Sequence, residues 1–453
     1  MRVVFALFLV FVAALKSSYA EQLKNELEPY SEELQRRAEA GDPQAQFLMG
    51  YNKLNGKGTP KNEQEAIRWY VLSAEKGHVR AMNTLGTFFL KNKIDSPETD
   101  AEMAKGTPEI SFSKAKRDKT QPHHIQMAVF WFMQAADKGN PRAKANIGIL
   151  YSEGLGLEKS DTEAIRWWEE AASEGAVNAQ YCLSLALKDG KGMQNNPQRA
   201  FELMYLAANQ KADDESEIKI IAKAQNALST YYYYGLGVDK NLEESFNWNQ
   251  KSAEAGDPIG QHNLGTAYKN GEGVAKNLGE AIKWYQKSAE QGYEKSLYEL
   301  GYLNANGIGM EQNYKKAFEY YLKAAQKGDA KAQNNLGVLF LEGRGTKKNE
   351  AEAFRYFLRS SLQNNVVAFG NLATCYENGR GVEVSTSEAF KWYGKGAEAD
   401  VAVCQYKLAQ FYEKGIGTPK NTNLAKEWYE RAEKQGYAPA KKALKSSDNN
   451  ATR

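Results

Sequence analysis

Apolar residues return at helical intervals through most of this chain of 453 residues. Between positions 258 and 293, Leu264, Ala267 and Tyr268 stand at i, i+3 and i+4, and Ala281, Trp284, Tyr285 and Ser288 continue at i, i+3, i+4 and i+7. Both runs have the period of an amphipathic helix facing a core. Polar residues and the pair Gly271 and Gly273 separate them, so the segment predicts two short helices, A and then B, folded back as an antiparallel hairpin. No alternating apolar and polar run of the kind that marks a half-buried strand appears anywhere.

The hairpin pattern recurs. First glycines of a Gly-Xaa-Gly stand at 56, 154, 190, 235, 271, 307, 343, 379 and 415, so the interval from 235 onward is always 36 residues. The step from 190 to 235 holds nine additional residues, and the step from 56 to 154 leaves room for one further unit with a glycine-free turn and an insertion. Thirteen residues after each first glycine comes a large apolar residue: Trp69, Trp167, Leu203, Trp248, Trp284, Tyr320, Tyr356, Trp392 and Trp428, with Trp131 in the irregular unit. Six residues before each first glycine comes a small one, such as Gly265, Gly301 or Gly337. Glycine inside a helix costs about 1 kcal/mol relative to alanine. A small residue in every unit therefore predicts that helix A approaches a neighbour closely, with the tryptophan slot supplying the opposing bulk. A dinucleotide loop would need a preceding strand and a third glycine, and neither is present. Gly271 and Gly273 are read instead as structural residues of a turn that needs positive φ.

The positions spell A-x-A-Q-x-x-L-G-x-x-Y-x-x-G-x-G-V followed by A-x-x-W-Y-x-x-A-A-x-x-G, a pattern that resembles the Sel1-like repeat family, relatives of the tetratricopeptide repeats, over roughly residues 30–445. The resemblance implies an all-α fold, a right-handed α/α superhelix of about ten hairpins that serves as a protein-binding scaffold. Three departures stand out. The unit from about 79 to 140 lacks the glycine turn, Leu203-Met204 replaces Trp-Tyr, and Asp400 stands where a unit should end in glycine. The expected organisation is a signal peptide at 1–20, an N-terminal capping helix at 21–41, the solenoid at 42–437, and a C-terminal capping helix with a flexible tail at 438–453. The cap at the start matches helix B alone, with Glu33 in the tryptophan slot. The insertion near 91–124 is polar, carries Pro97, Pro108 and Pro122, and reads as an extended loop or short extra helix.

Composition adds an address. Arg2 precedes an apolar run from Val3 to Leu15, and Ser18-Tyr19-Ala20 supplies a small-residue cleavage site, so the leader is expected to be removed after Ala20 and the product to be secreted or periplasmic. The run is too short to span a bilayer. The formal charge of +3 includes Arg2 and Lys16, which leaves 3 − 2 = +1 on the mature chain. That near-neutral balance gives no electrostatic footprint for nucleic acid.

Little in the chain suggests chemistry. Cys182, Cys375 and Cys404 form an odd set, so at most one bridge is possible, and Cys404 occupies a slot filled elsewhere by Ala45, Ala179 and Ala332. None of the phosphate-loop, zinc-protease or nucleophile-elbow motifs occurs. His123 and His124 are adjacent but have no partner at ligand spacing. Neither metal, cofactor nor catalysis is expected. The alternative function comes from cysteine-rich relatives described as penicillin-binding, which would make this chain a cell-wall or β-lactam-directed hydrolase; those relatives carry a cysteine pair in nearly every repeat.

The expected partner is a protein or peptide, held by a monomer with no membrane span. Asn146, Asn263, Asn335 and Asn371 stand eight residues before a first glycine, on helix A, where an amide can pair with a peptide backbone or with the neighbouring helix. Tyr231 to Tyr234 are consecutive. Tyr233 and Tyr234 fall where other units carry polar residues, so they are either exposed anchors or packed against the nine-residue insertion from Asp213 to Ile221.

Overall fold

The computed structural model describes residues 28–92 and 122–451, with side chains up to Lys445. The expected signal peptide and residues 93–121 of the insertion lie outside the described residues. Among the described residues there are helices and turns and no strand. The chain divides into two compact units, Met1–Asp257 and Pro258–Arg453.

Unit one holds α1 (Glu32–Glu39) and five hairpins: α2 (Pro43–Asn55) with α3 (Glu63–Glu75), α4 (Val79–Asn92) with α5 (His123–Asp137), α6 (Pro141–Glu153) with α7 (Asp161–Ser173), α8 (Val177–Asp189) with α9 (Pro197–Ala208), and α10 (Glu215–Tyr234) with α11 (Leu242–Glu254). Unit two holds five more: α12 (Pro258–Asn270) with α13 (Leu278–Glu290), α14 (Glu294–Asn306) with α15 (Tyr314–Gln326), α16 (Ala330–Glu342) with α17 (Glu350–Leu362), α18 (Val366–Asn378) with α19 (Thr386–Glu398), and α20 (Ala402–Lys414) with α21 (Thr422–Lys434), closed by α22 (Ala438–Ala451). Within each unit every helix packs on the next, so each unit is a solenoid stack of hairpins.

The Gly-Xaa-Gly turn has a mechanical cause in both of its glycines. Gly271 takes φ 79° and ends α12: its amide and that of Glu272 both bond to the Ala267 carbonyl, at 2.8 and 3.0 Å. The chain then turns under itself, with the Asn277 amide on the Tyr268 carbonyl at 2.8 Å, and the Asn277 side chain caps α13 through the Glu280 amide at 3.1 Å. The second glycine faces the preceding repeat. A methyl group at Gly345 would fall onto the carbonyl oxygen of Tyr314, the first residue of α15. The return turn from B to A also needs positive φ. Glycine supplies it in most repeats, whereas Asn364 and Asp400 adopt it at 60° and 59°.

The small slot on helix A is where the packing differs from expectation. A Cβ added to Gly50, Gly265, Gly301 or Gly337 would lie 2.7, 2.9, 2.6 and 2.7 Å from a ring atom of Tyr70, Tyr285, Tyr321 and Phe357 respectively. The opposing bulk is thus the residue after the tryptophan slot, and these four rings are buried. The tryptophans sit one position round the helix: Trp131, Trp248 and Trp392 are buried, while Trp69, Trp167, Trp284 and Trp428 are half-buried. Several are roofed by a cation one turn on, with Lys287 3.9 Å from the Trp284 ring centre and Lys395 4.3 Å from that of Trp392.

Candidate functional site: the first-helix face

The partner-binding candidates read from the sequence stand on the A helices, so the helix-A surface is the candidate site. In unit two the A helices form a continuous sheet of neighbours. Lys269 on α12 pairs with Glu299 on α14 at 2.9 Å, and Lys331 on α16 lies 6.0 Å over the Tyr298 ring of α14. Asn371 on α18 donates to Asn334 on α16 at 2.8 Å, and Lys407 on α20 reaches both carboxylate oxygens of Glu377 on α18 at 3.1 Å.

The asparagine candidates lie within this network and are half-buried. In unit one Asn146 donates to Asn83 at 3.1 Å and accepts from Asn178 at 3.3 Å, a chain of amides across α4, α6 and α8. In unit two Asn335 donates to the Tyr321 hydroxyl at 3.1 Å and accepts from Asn334 at 3.3 Å. Asn263 on α12 is engaged as well. Asn146, Asn335 and Asn371 spend at least part of their capacity on neighbouring helices, one of the two roles the sequence left open. Each has four hydrogen-bonding sites, so the remainder can still face a ligand.

The tyrosine quartet resolves residue by residue. Tyr231 is buried in the core. Tyr234 is 67% exposed and packs edge-on against Tyr233, with 4.9 Å between ring centres, and Lys240 lies 5.6 Å over the Tyr233 ring. The additional residues near Asp213 to Ile221 do not cover the pair. They extend α10 at its other end, where Asp214 caps the helix. At 1.5 Å per residue the two ends are roughly 28 Å apart.

Most residues with potential chemistry serve in packing: Cys375 and Cys404 are buried, and His78, His262 and Cys182 are half-buried. His262 on α12 lies between the rings of Tyr285 and Tyr293, 2.9 Å from the Ser296 hydroxyl, and burial pushes it down to about 4. His78 bonds Gln44 at 2.7 Å, accepts from the Ala81 amide and is likewise lowered by burial to about 4. The three cysteines are free thiols; burial raises Cys182 and Cys404 to about 12 and Cys375 to about 11, the reverse of what a nucleophile needs. His124 is buried and His123 exposed at the start of α5. Among the described residues no three His, Cys, Asp or Glu side chains converge as a metal site. No helix among them is long and apolar enough to cross a membrane.

The Sel1 repeat family model matches ten segments: residues 43–78, 124–140, 141–175, 177–211, 222–257, 258–293, 295–329, 330–365, 371–401 and 402–437. The chain belongs to the Sel1 repeat family. Among solved structures, a protective antigen of uropathogenic Escherichia coli with an SLR fold is 26% identical, with 92% of this chain and 90% of that one covered at a TM-score of 0.52. A Sel1 repeat protein from Oxalobacter formigenes is 32% identical over 56% of this chain and 96% of its own, at a TM-score of 0.48. Within the Sel1 frame, two features escaped the sequence reading. One is a set of glutamine clamps, Gln291 to Gln261 at 2.9 Å, Gln363 to Gln333 at 2.8 Å and Gln435 to Gln405 at 2.8 Å, which close alternate hairpins. Their constant 30-residue spacing was the available signal. The other is the exposed residue at the second position of each A helix in unit two, for which helical period alone gives no cue.

Proposed function

We propose that this Sel1 repeat protein is an exported, non-catalytic scaffold that holds a protein or peptide partner on its helix-A face. The observation that carries this reading is a division of labour. The glycine turns, the small slot and the buried rings account for the stack itself, yet the A helices also present aromatic rings to solvent, Tyr302 at 42% and Tyr234 at 67% exposure. Exposed aromatic rings on a rigid support are suited to anchoring a partner. Export rests on the leader. Resemblance to a protective antigen of a pathogen is in keeping with a protein that reaches the cell exterior.

The test is site-directed photo-crosslinking in the native compartment, with the probe at Tyr234 or Tyr302 and, as control, at Arg68 on the exposed side of α3. Adducts from the first two positions that are absent from the third support the scaffold. Turnover of a labelled β-lactam or peptidoglycan fragment by the purified protein would overturn it in favour of the hydrolase alternative.

A further inference from the structure

The second residue of each A helix in unit two forms a row whose chemistry changes along the stack: Ile259, Lys295, Lys331, Val367, Val403. Ile259, Val367 and Val403 are 38%, 59% and 43% exposed. Lys295 and Lys331 are exposed, and among the described residues neither has a carboxylate at ion-pair distance, unlike Lys269 and Lys407 deeper on the same face. Asp329, the acid whose field reaches Lys331, spends an oxygen on the Ala332 amide as the cap of α16. The row is therefore aliphatic, cationic, cationic, aliphatic, aliphatic, and solvent faces all five. Leu362 and Val366, also exposed, widen its aliphatic end.

Stacking demands none of this. The neighbouring Ala332 and Ala368 are completely buried, whereas the row positions beside them carry large side chains in water. Exposed aliphatic residues at one register of two adjacent helices, next to cations without a carboxylate partner at the same register of the two helices before them, form a surface that an aliphatic and acidic partner would complement.

The step between rows identifies the backbone that fits. Adjacent packed helices lie about 8–10 Å apart. A β-strand covers that distance in three residues but turns alternate side chains to opposite faces, so every second anchor would point away. A polyproline II segment has three residues per turn and rises about 3.1 Å per residue, so every third side chain returns to one face after about 9.3 Å. Its backbone amides and carbonyls are unpaired, and the half-buried Asn263, Asn335 and Asn371 stand one helical turn deeper than the row.

Resting on the scaffold reading above, we propose that this row is a docking track for a single extended, polyproline II-type segment of a partner protein that carries, at every third residue, an aliphatic, two acidic and then two aliphatic side chains.

The full-length mature protein is titrated against fluorescein-labelled peptides with Val, Glu, Glu, Val and Val at every third position between proline and alanine spacers, synthesised in both chain directions. The control has the same composition with the anchors at every second position. One direction is expected to bind at least about tenfold more tightly than the control. Val367→Glu with Val403→Glu, folded by circular dichroism, should lose about tenfold. Lys295→Glu with Lys331→Glu should lose the Glu peptide and gain the version with Lys in place of both Glu. Equal binding of the control, no binding of either direction, or no exchange of preference in the charge swap overturns the track. If the peptides fail while crosslinks from Tyr302 still capture a partner, an acidic helix or a second copy included, only the track is lost. If the crosslinks fail too, the scaffold reading falls with it.

Discussion

At Gly301 a methyl group would sit 2.6 Å from the Tyr321 ring, whereas at Gly394, inside α19, it would meet nothing within 4 Å. The same substitution should therefore act in opposite directions. Gly301→Ala overpacks a buried ring and is expected to destabilise by about 1–3 kcal/mol, more than the roughly 1 kcal/mol that alanine gains as a helix former. Gly394→Ala keeps only that gain. Thermal unfolding of the two variants should shift the midpoint down and up respectively, and equal shifts would show that the ring at 321 yields. The small slot was legible in the sequence as a recurrent glycine, but its partner was not: Tyr320, in the tryptophan slot, and Tyr321 are neighbours in sequence and differ by about 100° around the helix, an angle that periodicity alone does not resolve. His262 gives a second residue-scale expectation. Its folded value of about 4 lies below the usual 6.5 because burial and the nearby Lys295 and Lys269 disfavour the cation. The unfolded chain then takes the proton first, so its contribution is full above about pH 6.5 and is lost as pH falls towards 4. The gap amounts to roughly 3 kcal/mol at most. His262→Gln should flatten the stability profile in that window relative to wild type, and parallel profiles would remove His262 from the account.

Helices and their turns were the most legible level, because 13-residue runs recur with one spacing, the A helices closed by an αL glycine and the B helices opened by an asparagine cap. The largest departure is α10, whose 20 residues absorb the insertion as added helix. Sequence marked the extra residues but not their destination, since Asp213 to Ile221 carries helix-compatible charges that read equally well as a loop. Arg142 on α6 fixes the outcome. It reaches Asp214 at 2.5 Å, Glu217 at 2.6 Å and Asp213 at 3.2 Å, so the start of α10 is tied to the hairpin before last. Arg142→Met should leave three carboxylates around an empty site and destabilise unit one by about 2 kcal/mol. A fully buried pair broken on one side costs roughly 3–5 kcal/mol, and Arg142 keeps 27% of its side-chain surface in water. Adding Glu217→Gln should recover part of the loss. Additive losses from the two changes would mean that the cluster does not act as a unit.

For the molecule as a whole, sequence told the number of hairpins, because a 36-residue interval needs no structure to be counted, and it implied the stacking through resemblance to relatives. It did not reveal the division after Asp257 or the alternation of glutamine clamps every second hairpin, since both depend on which neighbours a helix finds. In such stacks each hairpin touches only those beside it, so stability is a sum of local terms and an end needs a cover. In unit two that cover is α22: Ala440 is buried there, and Ala443 and Leu444 pack onto the cluster of Ala409, Ala425 and Tyr429. Ending the chain at Tyr437 should therefore expose α20 and α21 and accelerate their amide exchange by orders of magnitude, while α12 to α15 keep wild-type protection. Exchange that rises equally across all ten helices from α12 to α21 would instead show unit two opening as one cooperative block. The contacts between adjacent hairpins, including links on the helix-A face such as Lys407 to Glu377 and Asn371 to Asn334, would then be strong enough relative to each hairpin's own stability to make the stack open as a single body.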